Sequence, residues 1–237
     1  RAFELVPDDP KARKAPAPDE AFTIAQGAAY WHAGLGAVPP FVNPPLAPLL
    51  MALPLLPLRL TPPAFDWTAA NPWEAFRSAR DYLYQVGGDG RGQAPPLRVM
   101  RRSRAVALVA GLLTGFVLWR WAGALWGARA GLVALALWAF CPTTIAYSGL
   151  ATTDMILTAF FVTAAFFWWR FLLAPSIPRA IAAGVLLGCA LGTKLTADIL
   201  LPAFVAAWLW ARRGHLLNAA AAEWRALLDL ENAVTFL

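Results

Sequence analysis

Four polar interruptions in an otherwise apolar chain carry residue types that can do chemistry at a membrane surface. They are the adjacent carboxylates Asp19-Glu20, the segment Asn43-Pro44-Pro45-Leu46, Asp154 and Lys194. An ionisable residue at a membrane boundary is costly to keep there, and it marks a functional hypothesis by default. A carboxylate in a partly desolvated site near the bilayer can take a proton as general base. An ammonium at membrane depth suits a phosphate. Each feature also has a plainer reading. Asp19-Glu20 follows Pro18 and opens an amphipathic stretch, where first-turn acids are favoured by the helix dipole. Asp154 follows the small-residue turn Ser148-Gly149-Leu150-Ala151-Thr152-Thr153 and can cap the next helix. Lys194 can snorkel to the headgroups or pair with Asp198 four residues on. His32, in Tyr30-Trp31-His32, reads as part of an interfacial aromatic cluster. With His215 at the far end of the chain it forms no metal constellation. A phosphate loop after a strand, a nucleophile elbow and HExxH are all missing.

The elements that must hold these groups follow from composition. Of 237 residues, 59% are hydrophobic and 14% charged, with mean hydropathy +0.53. A soluble domain carries about 25% charged residues, so this chain lacks the polar surface to clothe a globule in water. Between residues 105 and 211 only Arg120, Arg129, Asp154, Arg170, Arg179, Lys194 and Asp198 are charged. The +6 net charge belongs to flanks and loops and speaks for topology and lipid contact; no nucleic-acid-binding module stands out. Cys141 and Cys189 are too few for a disulfide framework and read as small buried residues. The expected fold class is all-α, a polytopic transmembrane helical bundle.

Residues 1–104 read as an extracytoplasmic first loop with interfacial helices. Within it, 41–63 is apolar but so rich in proline that it reads as interfacial or re-entrant, because proline removes donors and breaks a spanning helix. Residues 64–104 are polar, with a Gly-rich turn at 86–90, and end in Arg98, Arg101, Arg102 and Arg104. Residues 105–211 read as a membrane domain of about five spans, beginning with 105–126, 130–151 and 154–173. The stretch 180–211 holds Lys194 and Asp198, each costing about 2.5–3.5 kcal/mol inside a single span. Two short helices turning near residues 192–197 avoid that cost. Arg120/Arg129, Arg170/Arg179 and Arg212/Arg213 then share one face, cytoplasmic by the positive-inside rule. The cluster ending at Arg104 runs against the rule. Residues 212–237 read as a truncated cytoplasmic segment, and Phe166-Phe167-Trp168-Trp169 as lipid-facing aromatic belt.

Taken in order, the motifs resemble membrane glycosyltransferases of the dolichyl-phosphate-mannose protein mannosyltransferase type and the related aminoarabinose-lipid A transferases, which share the GT-C fold. The matching residues are Asp19-Glu20, Gly27, Tyr30-Trp31, Asn43-Pro44-Pro45-Leu46 and Ala52-Leu53-Pro54-Leu55-Leu56. Further on they are Cys141-Pro142, Ala151-Thr152-Thr153-Asp154-Met155, and Gly184, Gly188, Gly192, Thr193 and Lys194. Asn43 stands where many relatives have His. Relatives are longer, with a membrane helix before the Asp-Glu loop and further spans after, so the chain reads as an incomplete N-terminal portion that can be inactive alone.

The resemblance implies a sugar donor carried on a polyprenyl phosphate and a hydroxyl acceptor on a protein, lipid or glycan. It places the active site on the extracytoplasmic face of the cell (inner) membrane, among membrane lipids. Asp19 is the implied base, with Glu20 as neighbour or substitute. Asp154 orients the acceptor, or Asp19 through the cavity wall. Lys194 takes the phosphate, helped by a residue of the arginine cluster such as Arg102, with Asn43 and Tyr30 as further substrate contacts. The Pro-rich segment 41–60 holds the lipid tail or lids the site. The scheme requires no cofactor and shows no metal ligands, leaving a divalent metal open. The rival readings are a transporter or flippase of a lipid-linked substrate, and a non-catalytic membrane subunit.

Overall fold

The computed structural model describes residues 17–38, 43–58, 60, 72–85 and 96–213, and every regular element among them is helical. The Gly-rich turn at 86–90, His215 and the remainder of 214–237 lie outside the described residues.

Three helices build the layer at one end of the bundle. Helix α1 (Pro18–Ala33) starts on a proline that needs no donor there, with Asp19 and Glu20 in its first turn. Helix α2 (Leu46–Ala52) continues as a 3-10 turn over Leu53–Leu58, and α3 (Pro72–Gln85) packs on α1. The α2 segment is apolar but short of a span, in line with its prolines. In the i→i−3 register of a 3-10 helix, Pro54 and Pro57 fall where N–H donors to the Met51 and Pro54 carbonyls belong. The hydroxyl of Ser103 donates to the Met51 carbonyl at 2.9 Å, and Arg102 Nη1 donates to that of Pro54 at 3.1 Å. Helix α1 crosses α2 at Gly27. A Cβ there would lie 2.1 Å from the Pro48 carbonyl oxygen and 2.7 Å from Ala52 Cβ, and neither backbone can retreat cheaply. Gly27→Ala is therefore expected to destabilise the fold by about 1–3 kcal/mol, measured as a lowered unfolding midpoint in detergent.

The membrane layer follows. Helix α4 (Pro96–Trp126) descends from this end, and α5 (Ala128–Phe140) returns after the positive-φ Gly127. Cys141 precedes a proline and is extended rather than helical, so α6 (Pro142–Ser148) leaves α5 at 62°. Helix α7 (Thr153–Leu173) descends beside α4, α8 (Ile177–Leu191) returns, and α9 (Leu195–Arg213, opening as a 3-10 turn) descends again. Much of this surface is apolar and bare, including Leu112 at 66% and Phe140 at 80% exposure. That suits lipid and not water.

Among the described residues α4, α7 and α9 qualify as spans by length and apolarity, with α5–α6 a fourth if the bent pair is one crossing, against the about five expected. The difference is α8, whose 15 residues reach about 22 Å at 1.5 Å per residue, less than the roughly 30 Å hydrocarbon core. Yet α8 starts just past the end of α7, and the chain meets α7's first turn again at Lys194. It therefore runs back along the length of α7. The turn falls at residues 192–194, within the expected stretch. Phe204 of α9 stacks on Trp168 of α7 (ring centroids 4.9 Å apart), and with Lys194 at the first turn of α7 this sets α9 running in the same direction as α7. Arg120, Arg129, Arg170, Arg179, Arg212 and Arg213 consequently gather at the end opposite α1. The aromatic run on α7 is more than a lipid belt. Phe166 and Trp169 also contact Trp121 of α4, so it joins three helices.

Candidate active site

The interior of the α1 end is organised by Glu20, which is fully buried. Its carboxylate accepts two hydrogen bonds from Arg104, Nε to Oε1 and Nη2 to Oε2, both at 2.7 Å. It also accepts the Ala151 N–H at 2.9 Å and the Ala17 N–H at 3.0 Å. Burial alone works to raise its pKa, but the Arg104 guanidinium and the two backbone donors outweigh it. The carboxyl is held below its ordinary value of 4.5 and stays ionised. Glu20 thus ties α1, α4 and the 149–152 loop together. An ionised carboxylate with both oxygens occupied is a poor base, and these bonds make Glu20 a link between elements.

Asp19, one residue earlier, has the opposite environment. It is exposed, and among the described residues it has no hydrogen bond or ion pair. Two adjacent carboxylates are thereby split into one locked and one free, the arrangement by which one fold assigns different roles to like groups.

Asp154 and Lys194 meet. Lys194 Nζ donates to Asp154 Oδ1 at 2.7 Å, with side chains 31% and 40% exposed respectively. The alternative partner, Asp198, is exposed and unpaired among the described residues. One ammonium proton engages Asp154 and two remain for a ligand. Asp154 also lines a cavity of about 340 Å³ with Thr143, Thr144, Tyr147, Thr158 and Cys141. Trp138 and Met155 complete its lining, and the Thr158 hydroxyl donates to the Asp154 carbonyl at 2.8 Å. Cys141 and Cys189 are both partly exposed rather than buried.

The Leu46 N–H donates to the Gly192 carbonyl at 2.9 Å, two residues from Lys194. Four pieces of chain therefore converge at one end: Asp19-Glu20, the α2 start with Asn43 three residues before it, Asp154, and Lys194. Tyr30 and Arg102 are engaged elsewhere. Tyr30 is 4% exposed in the core, and its hydroxyl accepts from Gln26 at 3.0 Å. Arg102 is turned to the Pro54 carbonyl. Arg104, the partner of Glu20, was legible in one respect only: it shares the α4 face of Met100, Ser103 and Ala107, all buried. A charge in that register needs a partner. Among the described residues no group of three His, Cys, Asp or Glu could hold a metal ion.

The family model for dolichyl-phosphate-mannose-protein mannosyltransferase matches residues 99–228, more than half of the chain. The chain belongs to this mannosyltransferase family. Membership makes it a multi-pass membrane protein and implies a glycosyltransferase that uses a lipid-linked sugar. The match takes in Arg104, Asp154 and Lys194 of this mannosyltransferase-family chain, and Asp19-Glu20 reaches them through the Glu20–Arg104 pair. No curated protein and no solved structure gives a significant match to the chain.

Proposed function

We propose that the protein transfers a sugar from a polyprenyl-phosphate donor to a hydroxyl acceptor on a protein, lipid or glycan, by one inverting displacement. The acceptor oxygen bonds to the anomeric carbon as its proton passes to Asp19. The carbon–oxygen bond to phosphate breaks with its electron pair going to the departing phosphate. An oxocarbenium-like transition state needs such a base and a cation for the leaving group. Lys194 supplies that cation, and Asp154, at the wall of its cavity, orients the incoming hydroxyl. The observation that carries this reading is the pair of neighbouring carboxylates, with Glu20 bound on every side and Asp19 left free at the same end as Lys194.

The six arginines gathered at the opposite end support an extracytoplasmic site in the inner membrane. Of the cluster that opposes this bias, Arg104 is neutralised by Glu20 and Arg102 is spent on a carbonyl. The expected result for Lys194→Ala in the full-length protein is a raised KM for the polyprenyl-phosphate sugar, with acceptor dependence little changed. An unaltered donor dependence returns Lys194 to a purely structural pairing with Asp154.

A further inference from the structure

An acceptor can reach Asp154 from the water above α1 or from the bilayer beside α6, and the level at which α6 lies separates the two. Trp138 Nε1 of α5 donates to the Gly111 carbonyl of α4 at 2.9 Å. Ser148, the last residue of α6, meets the same glycine: a Cβ on Gly111 would come 2.5 Å from Ser148 Oγ. The chain therefore gains little height between the end of α5 and the end of α6, and α6 lies across the bilayer. Its depth follows from α4. Arg104 is fixed to Glu20 in the α1 layer, and Gly111 lies about 10 Å further down α4 at the helical rise. Residues 105–119 carry no charge. Helix α6 thus crosses inside the hydrocarbon, below its boundary on the α1 side.

The bent pair leaves space over α6. Helix α5 has 13 residues and rises only about 20 Å, short of the roughly 30 Å core. Helix α7, with 21 residues, rises about 31 Å and matches it, which sets Asp154 of its first turn at the boundary. The cavity of about 340 Å³ fills the step between them. Thr158 lines it about 6 Å deeper than Asp154. Thr143 and Tyr147 of α6 line it and are exposed, so it opens past α6. Phe140 and Ile145 flank that opening at 80% and 59% exposure, and no residue from 130 to 153 is charged. Bare apolar groups at this depth face lipid. A peptide or glycan entering here would give up its water for a lining whose one charged residue is Asp154. An amphiphile gives up little: its hydroxyl meets Asp154 and its apolar body stays in hydrocarbon.

We propose that the acceptor is a membrane lipid bearing a hydroxyl, which enters over α6 and presents that hydroxyl at Asp154. This acceptor class rests on the transfer reading above and narrows it. The displacement is the same: the lipid oxygen bonds to the anomeric carbon, its proton passes to Asp19, and the phosphate leaves with the electron pair.

The test uses the full-length protein in membranes of its native host, supplied with polyprenyl phosphate carrying a radiolabelled sugar. Membranes holding the Asp19→Asn protein serve as the blank. After mild acid has cleaved the remaining sugar phosphate, label above the blank is expected in the organic extract, as a lipid glycoside. Label in protein or in water-soluble glycan overturns the lipid acceptor and leaves the transferase reading standing. No label above the blank in any fraction sinks the transferase reading, and the lipid acceptor with it. Thr143→Trp, which narrows the opening from an exposed position, should lower lipid labelling about tenfold, the scale of an overpacked site, with the unfolding midpoint at the wild-type value. Tyr147→Trp, at the same opening, serves if that variant does not fold. Undiminished labelling in a folded variant overturns the route over α6.

Discussion

Asp19→Asn in the full-length protein is expected to lower sugar transfer by about 10²–10⁴-fold, the range supplied by a positioned general base. The amide keeps the shape of the carboxylate and cannot take the acceptor proton. Because Asp19 is exposed, with no partner among the described residues, the fold should not register the change. Expression, membrane insertion and unfolding midpoint are expected to match wild type, so lost turnover is attributable to chemistry. Donor KM should stay near wild type, since the phosphate contacts lie elsewhere. The reaction is measured with a polyprenyl-phosphate sugar and a hydroxyl acceptor, and wild-type turnover in the variant removes Asp19 from the mechanism.

Glu20→Ala should behave in the opposite manner, with stability falling first. Removing one partner of a buried ion pair leaves the other charged and unsatisfied, at about 3–5 kcal/mol. Here Arg104 is 28% exposed, so water softens the loss toward the lower end. The Ala151 and Ala17 N–H groups lose their acceptor as well. Combining Glu20→Ala with Arg104→Ala should cost less than the sum of the single changes, because the second removes a group the first has orphaned. The pH dependence follows from the lowered folded-state pKa of Glu20. A depressed carboxyl contributes its stability in full above the unfolded value near 4.5, and the contribution is lost as pH falls through the folded value. Wild type should therefore lose stability in acid more steeply than the double variant. Equal acid sensitivity would show that the pair does not govern this limb.

Much of the architecture was legible because membrane segments announce themselves by what they lack. The scarcity of charge between residues 105 and 211 marked the helices, and the cost of Lys194 and Asp198 in hydrocarbon located the turn before α9. The partners were less legible. Glu20 and Arg104 are 84 residues apart, and neither local periodicity nor charge bias could join them. Tyr30 looked like a site aromatic by its neighbours, but its place on the core side of α1 depends on what α1 packs against. Trp168 looked lipid-facing until α9 was laid over it. Asp154 was marked as a helix start, but the choice by Lys194 of Asp154 over the nearer Asp198 depends on where α8 ends.

The two carbonyls that prolines leave bare on the α2 segment have a consequence for biogenesis. Met51 and Pro54 receive their donors from residues 52 and 48 positions later in the chain. The ribosome delivers those donors only after the Pro-rich segment has long emerged, and they sit at the head of a helix that must itself enter the bilayer. The α1–α3 layer is therefore completed by α4, and its last two donors arrive with that helix. A chain whose α4 fails to integrate would leave the α1–α2 layer without these two hydrogen bonds.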